Sequence, residues 1–457
     1  MKGISYKHFL GASLLFGLIY VFIVPPFQAP DEDSHYFRCY EIFNSFQGDK
    51  QDPENRLGGY LPASLFKYSD QFRFMRFNYD GKITKEQLST FNEKKLDKVN
   101  RNFTDFSNTA MYFPTAYPLQ SIIAAIGASL NLRPSSILYL LRITTLLTWL
   151  IILYYAYKIF PGDKLLFLFI SSLPAILVLH SSVTADAITN ALAFLLFSYI
   201  LCLKNQEGNI SNFQIFKLGL IVLVLSINKI VYFPLILLWF FLPFGKFDSS
   251  IKYYSSFIII SLVCIFLTSI WALKVNKAYI TYEDYAVEYR HDQQIKPKGD
   301  PNKQLEYVLS HSIQFTGNVI KSYLSVVPAT AAHLTGKFGW EKNYIPTWMI
   351  ALLCLCMIAL IMNADFSLKI KERLLFIFII LSSLYLMAIM MYGLYSAVGN
   401  DYIFNLGGRY LFPLLPIIVI VFSRKFVKHE IKPSWILSII CISHITMIIS
   451  ILSRYYF

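Results

Sequence analysis

Apolar runs recur along this chain from one end to the other, separated by short basic stretches and by two long polar segments. The runs are roughly His8–Val24, Leu138–Tyr157, Leu165–Leu179, Ala187–Leu203, Leu218–Ile227, Ile230–Leu242, Tyr253–Leu273, Ile345–Met362, Leu374–Ala397, Tyr410–Phe422 and Trp435–Ile451. A hydrocarbon core about 30 Å thick takes roughly 20 helical residues, so the pattern predicts an all-α polytopic membrane protein. The polar segments run from about Gln28 to Ser136 and from about Lys274 to Tyr344. Within the first, Leu119–Leu130 is apolar but short for a span, which suits a helix lying in the membrane interface or re-entering it. No small-residue cleavage site follows the first run, which reads as a retained anchor.

One stretch admits two readings. Leu218 to Leu242 is interrupted only by Asn228-Lys229, so it is one long helix with a buried lysine or two short elements turning there. Loop charge decides. With a turn, the basic loops Lys158–Lys164, Lys246–Lys252, Lys369–Arg373 and Arg424–Lys432 all fall on the side of the N-terminus, beside Lys2 and Lys7. Without it, the last three flip outward, against the positive-inside tendency. The turn gives eleven spans within a single membrane domain over residues 1–457. Its first extracytoplasmic loop spans 28–136 and its second 274–344. The N-terminus is then cytoplasmic and the C-terminus outside.

Composition narrows the function. The 457 residues are 55% hydrophobic and only 15% charged, an apolar content that soluble domains rarely reach. The net charge of +13 resides largely in short loops between apolar runs, which marks membrane orientation and not nucleic-acid binding. Of six cysteines only Cys39 lies in the first polar segment, and no disulfide framework or zinc spacing is present.

The densest chemistry follows the first run at once: Pro25-Pro26-Phe27-Gln28-Ala29-Pro30-Asp31-Glu32-Asp33-Ser34-His35. Carboxylates at the mouth of a span sit at the edge of low dielectric, where pKa values move. In the eleven-span topology other polar residues share that outer face. They are Arg142, Asp186 in His180-Ser181-Ser182-Val183-Thr184-Ala185-Asp186, Lys229 at the turn, and Arg409-Tyr410 after Gly407-Gly408. Each also has a plainer reading. Asp186 is a helix cap, Lys229 and Arg142 snorkel to headgroups, Arg409 anchors at the interface, and His35 is a hydrogen-bonded helix residue. Their convergence favours function. Transfer of a sugar from a lipid phosphate needs a carboxylate for the proton of the attacking hydroxyl, and cations for the departing phosphate. Asp31 or Glu32 supplies the first, with Asp31 preferred, and Arg142, Lys229 and Arg409 the second. Asp31, Glu32, Asp33 and His35 also offer oxygen and nitrogen ligands to a divalent ion, although phosphate chemistry run on arginine and lysine has no obligatory metal.

Pro25-Pro26-Phe27-Gln28-Ala29-Pro30-Asp31-Glu32, followed by His35 and Arg38, resembles the opening motif of the bacterial domain of unknown function 2142 family. Further matching stretches follow in order: Val183-Thr184-Ala185-Asp186-Ala187-Ile188-Thr189-Asn190-Ala191, Lys229-Ile230-Val231-Tyr232, Gly336-Lys337-Phe338-Gly339-Trp340 and Gly407-Gly408-Arg409-Tyr410-Leu411-Phe412-Pro413. That family resembles the GT-C superfamily of polytopic glycosyltransferases, which includes protein mannosyltransferases and lipid A aminoarabinose transferases. The resemblance implies a GT-C-like bundle, an Asp-Glu pair in the first outer loop, a polyprenyl-phosphate sugar donor and an interfacial helix after Pro118. Tyr117-Pro118-Leu119 lacks the doubled proline and preceding histidine often seen in such members. The expected activity is an inverting transfer to a glycan or lipid acceptor of the cell envelope, at the outer face of the bacterial inner membrane. A polymerase or ligase using a polyprenyl-diphosphate donor and a transporter of lipid-linked sugar are the competing readings. A transporter more often carries internal repeats and ionisable residues at the bilayer midplane.

Overall fold

The computed structural model describes residues 6–44, 54–92, 95–292, 299–340, 343–364, 366, 368–424 and 431–457. The chain is mostly helical, and each apolar run forms helix. Six helices are long and apolar enough to cross a membrane: Tyr6–Ile23, Pro134–Ile159, Asp186–Asn205, Ser250–Lys277, Ile370–Tyr395 and Pro433–Tyr455. Shorter apolar helices cover Asn212–Asn228, Ile230–Phe241, Thr347–Asn363 and Gly408–Phe422. The run at Leu165–Leu179 is broken into Lys164–Ser171 and Pro174–His180. Pro174 cannot donate to the preceding turn and disfavours helix at Leu173. The Ser172 carbonyl released by this break lies 3.1 Å from His444 Nε2, and Tyr20 Oη lies 2.8 Å from His444 Nδ1. A buried side-chain knot thus replaces the lost helical bond, as apolar surroundings demand.

The chain does turn at Asn228-Lys229. Helix Asn212–Asn228 ends there, Lys229 is extended, and a 3₁₀ helix runs from Ile230 to Phe241. Leu218 and Val222 face Leu235, Ile236 and Trp239 across one apolar gap. At the far end the Ile210 amide donates to the Lys246 carbonyl at 2.8 Å. Positions equidistant from Lys229 therefore meet, which defines a helical hairpin. The 3₁₀ form has a reason in length. At about 2.0 Å per residue it carries 12 residues nearly as far as the 17 of its α-helical partner.

The bundle has two unlike ends. At one, Tyr6 packs on Tyr154 and Tyr157, Lys204 pairs with Glu372, and Phe160 packs on Phe366. The short basic loops gather here, although 425–430 of the loop Arg424–Lys432 lie outside the described residues. At the other end the two polar segments pack together. The Leu57 amide donates to Tyr285 Oη at 2.8 Å, Phe77 packs on Trp340, and Arg454 donates to Asn343 Oδ1 and to the carbonyls of Met75, Asn78 and Gly81. The last turn of the final helix thus lies on the polar-segment end, opposite Tyr6.

Both polar segments hold more regular structure than their hydropathy predicts. The first carries Glu32–Asn44, Ala63–Asp70, Lys85–Asn92 and an antiparallel pair in which Gly58 opposes Asp105 and Pro62 opposes Arg101. It also carries Pro118–Ser129, which leaves Leu119, Ile122 and Ile126 exposed as an interfacial helix would. The second contains Pro301–Ser310 and the 24-residue helix Ser312–Thr335. Asn318, Lys321, Pro328 and His333 interrupt its apolar positions, so no run of spanning length signals it.

Candidate functional site

Past Ile23 the chain leaves the first helix through Pro25-Pro26, and two residues, Phe27 and Asp31, take left-handed backbone conformations at φ 61°. Such a conformation is uncommon outside glycine and is tolerated best by Asn and Asp. A helix then starts at Glu32. The reversal at Asp31 and the 100° step between helical neighbours send three consecutive acids in three directions, each to its own arginine. Arg409 Nη2 lies 3.1 Å from Asp31, Arg142 Nη2 lies 2.6 Å from Glu32, and Arg76 Nη2 lies 2.7 Å from Asp33.

The Glu32–Arg142 pair is sealed, with neither side chain exposed. Arg142 Nε and Nη2 donate to the two Glu32 oxygens, Nη1 to the carbonyls of Val21 and Val24, and Nη2 again to that of Pro25. All five guanidinium N–H groups are thereby used. The Glu32 carboxylate also accepts from the Phe27 and Val183 amides at 2.9 and 3.0 Å. This pair ties the exit of the first helix to Pro134–Ile159 and to the loop before Asp186. Two expectations are corrected here. Arg142 has no N–H left for a donor phosphate, and Glu32 has no open face from which to take a proton.

Asp31 stands differently. Its side chain keeps 30% of its surface open, as Arg409 keeps 31%, yet protein surrounds both, which makes a recess. Asn108 Nδ2 donates to Asp31 Oδ1 at 3.1 Å. Burial, the largest single influence, raises the Asp31 carboxyl, but Arg409 above all, together with His35 and Arg76, outweighs it and holds the group below the usual carboxylate range. Deeper in, Lys229 Nζ pairs with the Asp186 carboxylate. The ammonium lies 5.1 Å from the centre of the Tyr410 ring, whose other neighbour is the Arg409 guanidinium at 5.3 Å. Asp186 does not cap its helix, since Ala185 is the N-cap and no side chain bonds there. Lys229 does not snorkel outward but turns inward to that acid.

His35 belongs to the same neighbourhood. Its Nδ1 lies 2.5 Å from Tyr117 Oη, and its ring packs beside Tyr112 and Tyr117. Burial pushes the imidazole down to about 4; the charges of Asp31 and Asp186 oppose this fall, and those of Arg409 and Lys229 add to it. At neutral pH the ring is uncharged. Arg38 sits apart. It donates to Glu41 at 2.5 Å and through Nε and Nη2 to the Tyr112 carbonyl, strapping the chain that leads into Pro114. Asp33 likewise acts as a strut, because Arg76 lies over the Trp340 ring at 4.5 Å and so joins the two polar segments.

Asp31, Asp186, Lys229, Arg409, Tyr410 and His35 are therefore brought together, while Glu32, Asp33, Arg38 and Arg142 frame them. Asp31, Glu32 and Asp33 diverge, and among the described residues no three His, Cys, Asp or Glu side chains gather as a metal site would require. Sequence reading missed Tyr117, Asn108 and His333. The last takes the Gly408 amide on Nδ1 at 3.2 Å, and a Cβ on Gly408 would lie 2.5 Å from His333 Cβ, so only glycine admits this approach beside Arg409. A lone histidine 75 residues from its contact leaves no local signal. Tyr117 was within reach, since it directly precedes Pro118.

No curated protein and no solved structure matches the chain. A family model described as "Predicted membrane protein (DUF2142)" matches residues 14–418, from the first helix past the Gly407-Gly408-Arg409-Tyr410 motif. The match covers most of the chain and all of the residues gathered above, so this protein belongs to the DUF2142 family of predicted membrane proteins.

Proposed function

We propose that this protein is an inverting membrane glycosyltransferase of GT-C type. It moves a sugar from a polyprenyl-phosphate donor to a glycan or lipid acceptor of the cell envelope. One observation carries the reading: an acid held ionised and partly open to solvent, Asp31, faces a guanidinium at the polar-segment end of a membrane bundle, with a second cation, Lys229, nearby. In the proposed step the acceptor oxygen attacks the anomeric carbon and gives its proton to Asp31. The bond from that carbon to the phosphate oxygen breaks, and the charge left on the phosphate is met by Arg409 and Lys229. The lipid chain stays in the bilayer, against the exposed apolar side of Pro118–Ser129.

The proposed topology has eleven crossings. It adds the shorter apolar elements and the broken run at Leu165–Leu179 to the six long helices. The basic end faces the cytoplasm of the bacterial inner membrane, which positive loops favour, and the recess opens outside. No obligatory metal is invoked, because two cations of the chain itself face the phosphate. A transporter would place its ionisable groups near the bilayer midplane, whereas these sit where helices meet the polar segments.

The test is transfer from polyprenyl-phosphate sugars by the purified protein, with Asp31→Asn as control. Sugar transfer that Asp31→Asn abolishes supports the assignment. If the native protein moves lipid-linked sugar across vesicles without transferring it, the transferase reading is wrong.

A further inference from the structure

His35 has one ring nitrogen engaged and one free. Nδ1 meets Tyr117 Oη at 2.5 Å; Nε2 has no partner among the described residues and is not sealed from solvent. The Tyr117 hydroxyl is buried, and Nδ1 is its partner among the described residues. If Nδ1 carried the proton, the Tyr117 O–H would be left without an acceptor, a desolvation penalty that buried hydroxyls rarely carry. The arrangement that satisfies both has Tyr117 donating to Nδ1, and this fixes the proton on Nε2. The ring is neutral at physiological pH, since burial holds it near 4. The unpartnered nitrogen of this ring, which lies within the electrostatic reach of Asp31 and Asp186, is thus an uncharged N–H donor and not a base. A donor there has no use for the hydroxyl that Asp31 deprotonates; it suits an oxygen that gains charge.

We propose that His35 binds a phosphate oxygen of the lipid-linked donor through Nε2–H, with Tyr117 as the positioning residue that sets this tautomer. The assignment rests on the phosphate-lipid reading of the recess given above. It extends that reading by adding a neutral donor to the two cations. Such a donor adds directional recognition without a further charge that would draw Asp31 or Asp186 away from its partner.

The test uses the purified full-length chain in lipid nanodiscs, with undecaprenyl phosphate as the probe. A glutamine at position 35 carries an amide N–H to the place of Nε2, whereas an asparagine reaches only the place of Nδ1. His35→Gln should therefore bind within about threefold of the native protein, and His35→Asn about tenfold or more weaker, the loss of one hydrogen bond to a charged group. Tyr117→Phe should weaken binding in the native background and change nothing in the His35→Gln background. Nitrogen-15 spectra of labelled histidine, assigned by the loss of one signal set in His35→Gln, should show Nε2 protonated and Nδ1 bare in the native protein. A mixture of tautomers should follow Tyr117→Phe. If native protein binds the probe and His35→Asn binds equally well, the His35 assignment is overturned alone. A proton on Nδ1 overturns it as well. If native protein does not bind undecaprenyl phosphate at all, the reading of the recess falls, and the ligand named here falls with it.

Discussion

Arg142 spends every N–H of its guanidinium on the Glu32 carboxylate and on three carbonyls at the exit of the first helix. Removing one member of a sealed ion pair leaves the other charged and unsolvated. Arg142→Ala or Glu32→Gln should therefore cost about 3–5 kcal/mol of stability. Unfolding measured in detergent, together with the folded yield, checks this. Residual activity should track the folded fraction. A well-folded Arg142→Ala with normal stability and impaired turnover would return Arg142 to the chemistry.

Asp31→Asn should behave in the opposite way. The Asp31–Arg409 pair is partly open and worth at most about 1 kcal/mol, so the variant should fold. Turnover should fall by about 10²- to 10⁴-fold, the usual worth of a positioned base. Because Arg409 depresses the Asp31 carboxyl, the acid limb of the pH–rate profile should lie below the ordinary carboxylate range. Arg409→Gln should move that limb upward. A limb that stays in place in Arg409→Gln would show that another group controls it.

The two glycines before Arg409 should differ in tolerance. A methyl on Gly408 meets His333 Cβ at 2.5 Å, while the nearest atoms to one on Gly407 are ring carbons of Tyr410 at 3.8 Å. Gly408→Ala should cost about 1–3 kcal/mol as an overpacked contact and shift Arg409. Gly407→Ala should be nearly neutral. Thermal stability and turnover of both variants, measured side by side, decide it.

Stability should rise with pH across the mildly acidic range. Burial holds both His35 and His333 near 4, against an ordinary value of 6.5. Between those values the unfolded chain binds protons that the folded chain refuses, so stability is complete above about 6.5 and is lost as pH falls toward 4. Unfolding midpoints taken at several pH values should show this slope, and His35→Gln should flatten part of it. An unchanged slope in that variant would mean that His35 titrates normally.

Orientation is open to direct labelling. Asp80 and Lys303 are exposed in the two polar segments, and Ser250 is exposed at the basic end. Cysteines at Asp80 and Lys303 should react with an impermeant reagent on intact cells, and one at Ser250 only after permeabilisation. Labelling of Ser250 first would invert the proposed topology.

Hydropathy by itself determined the apolar elements, because burying backbone in lipid requires long runs of apolar helix, and such runs are visible without knowing their neighbours. Loop charge determined the turn at Lys229 for a similar reason: one short polar interruption shifts the parity of every later loop. Amphipathic helices escaped, as Ser312–Thr335 shows, since a helix that packs one face on protein needs no continuous apolar stretch. The motif at Asp31-Glu32-Asp33 marked the place of the site but not the division of labour within it. Three adjacent carboxylates are chemically near-equivalent in sequence. The left-handed turn at Asp31 and the helix starting at Glu32 aim them at arginines 378, 110 and 43 residues away. Only that long-range pairing separates an acid that faces the recess from one that holds the bundle together. Partner choice depends on where distant segments meet in space, and local sequence carries no record of it.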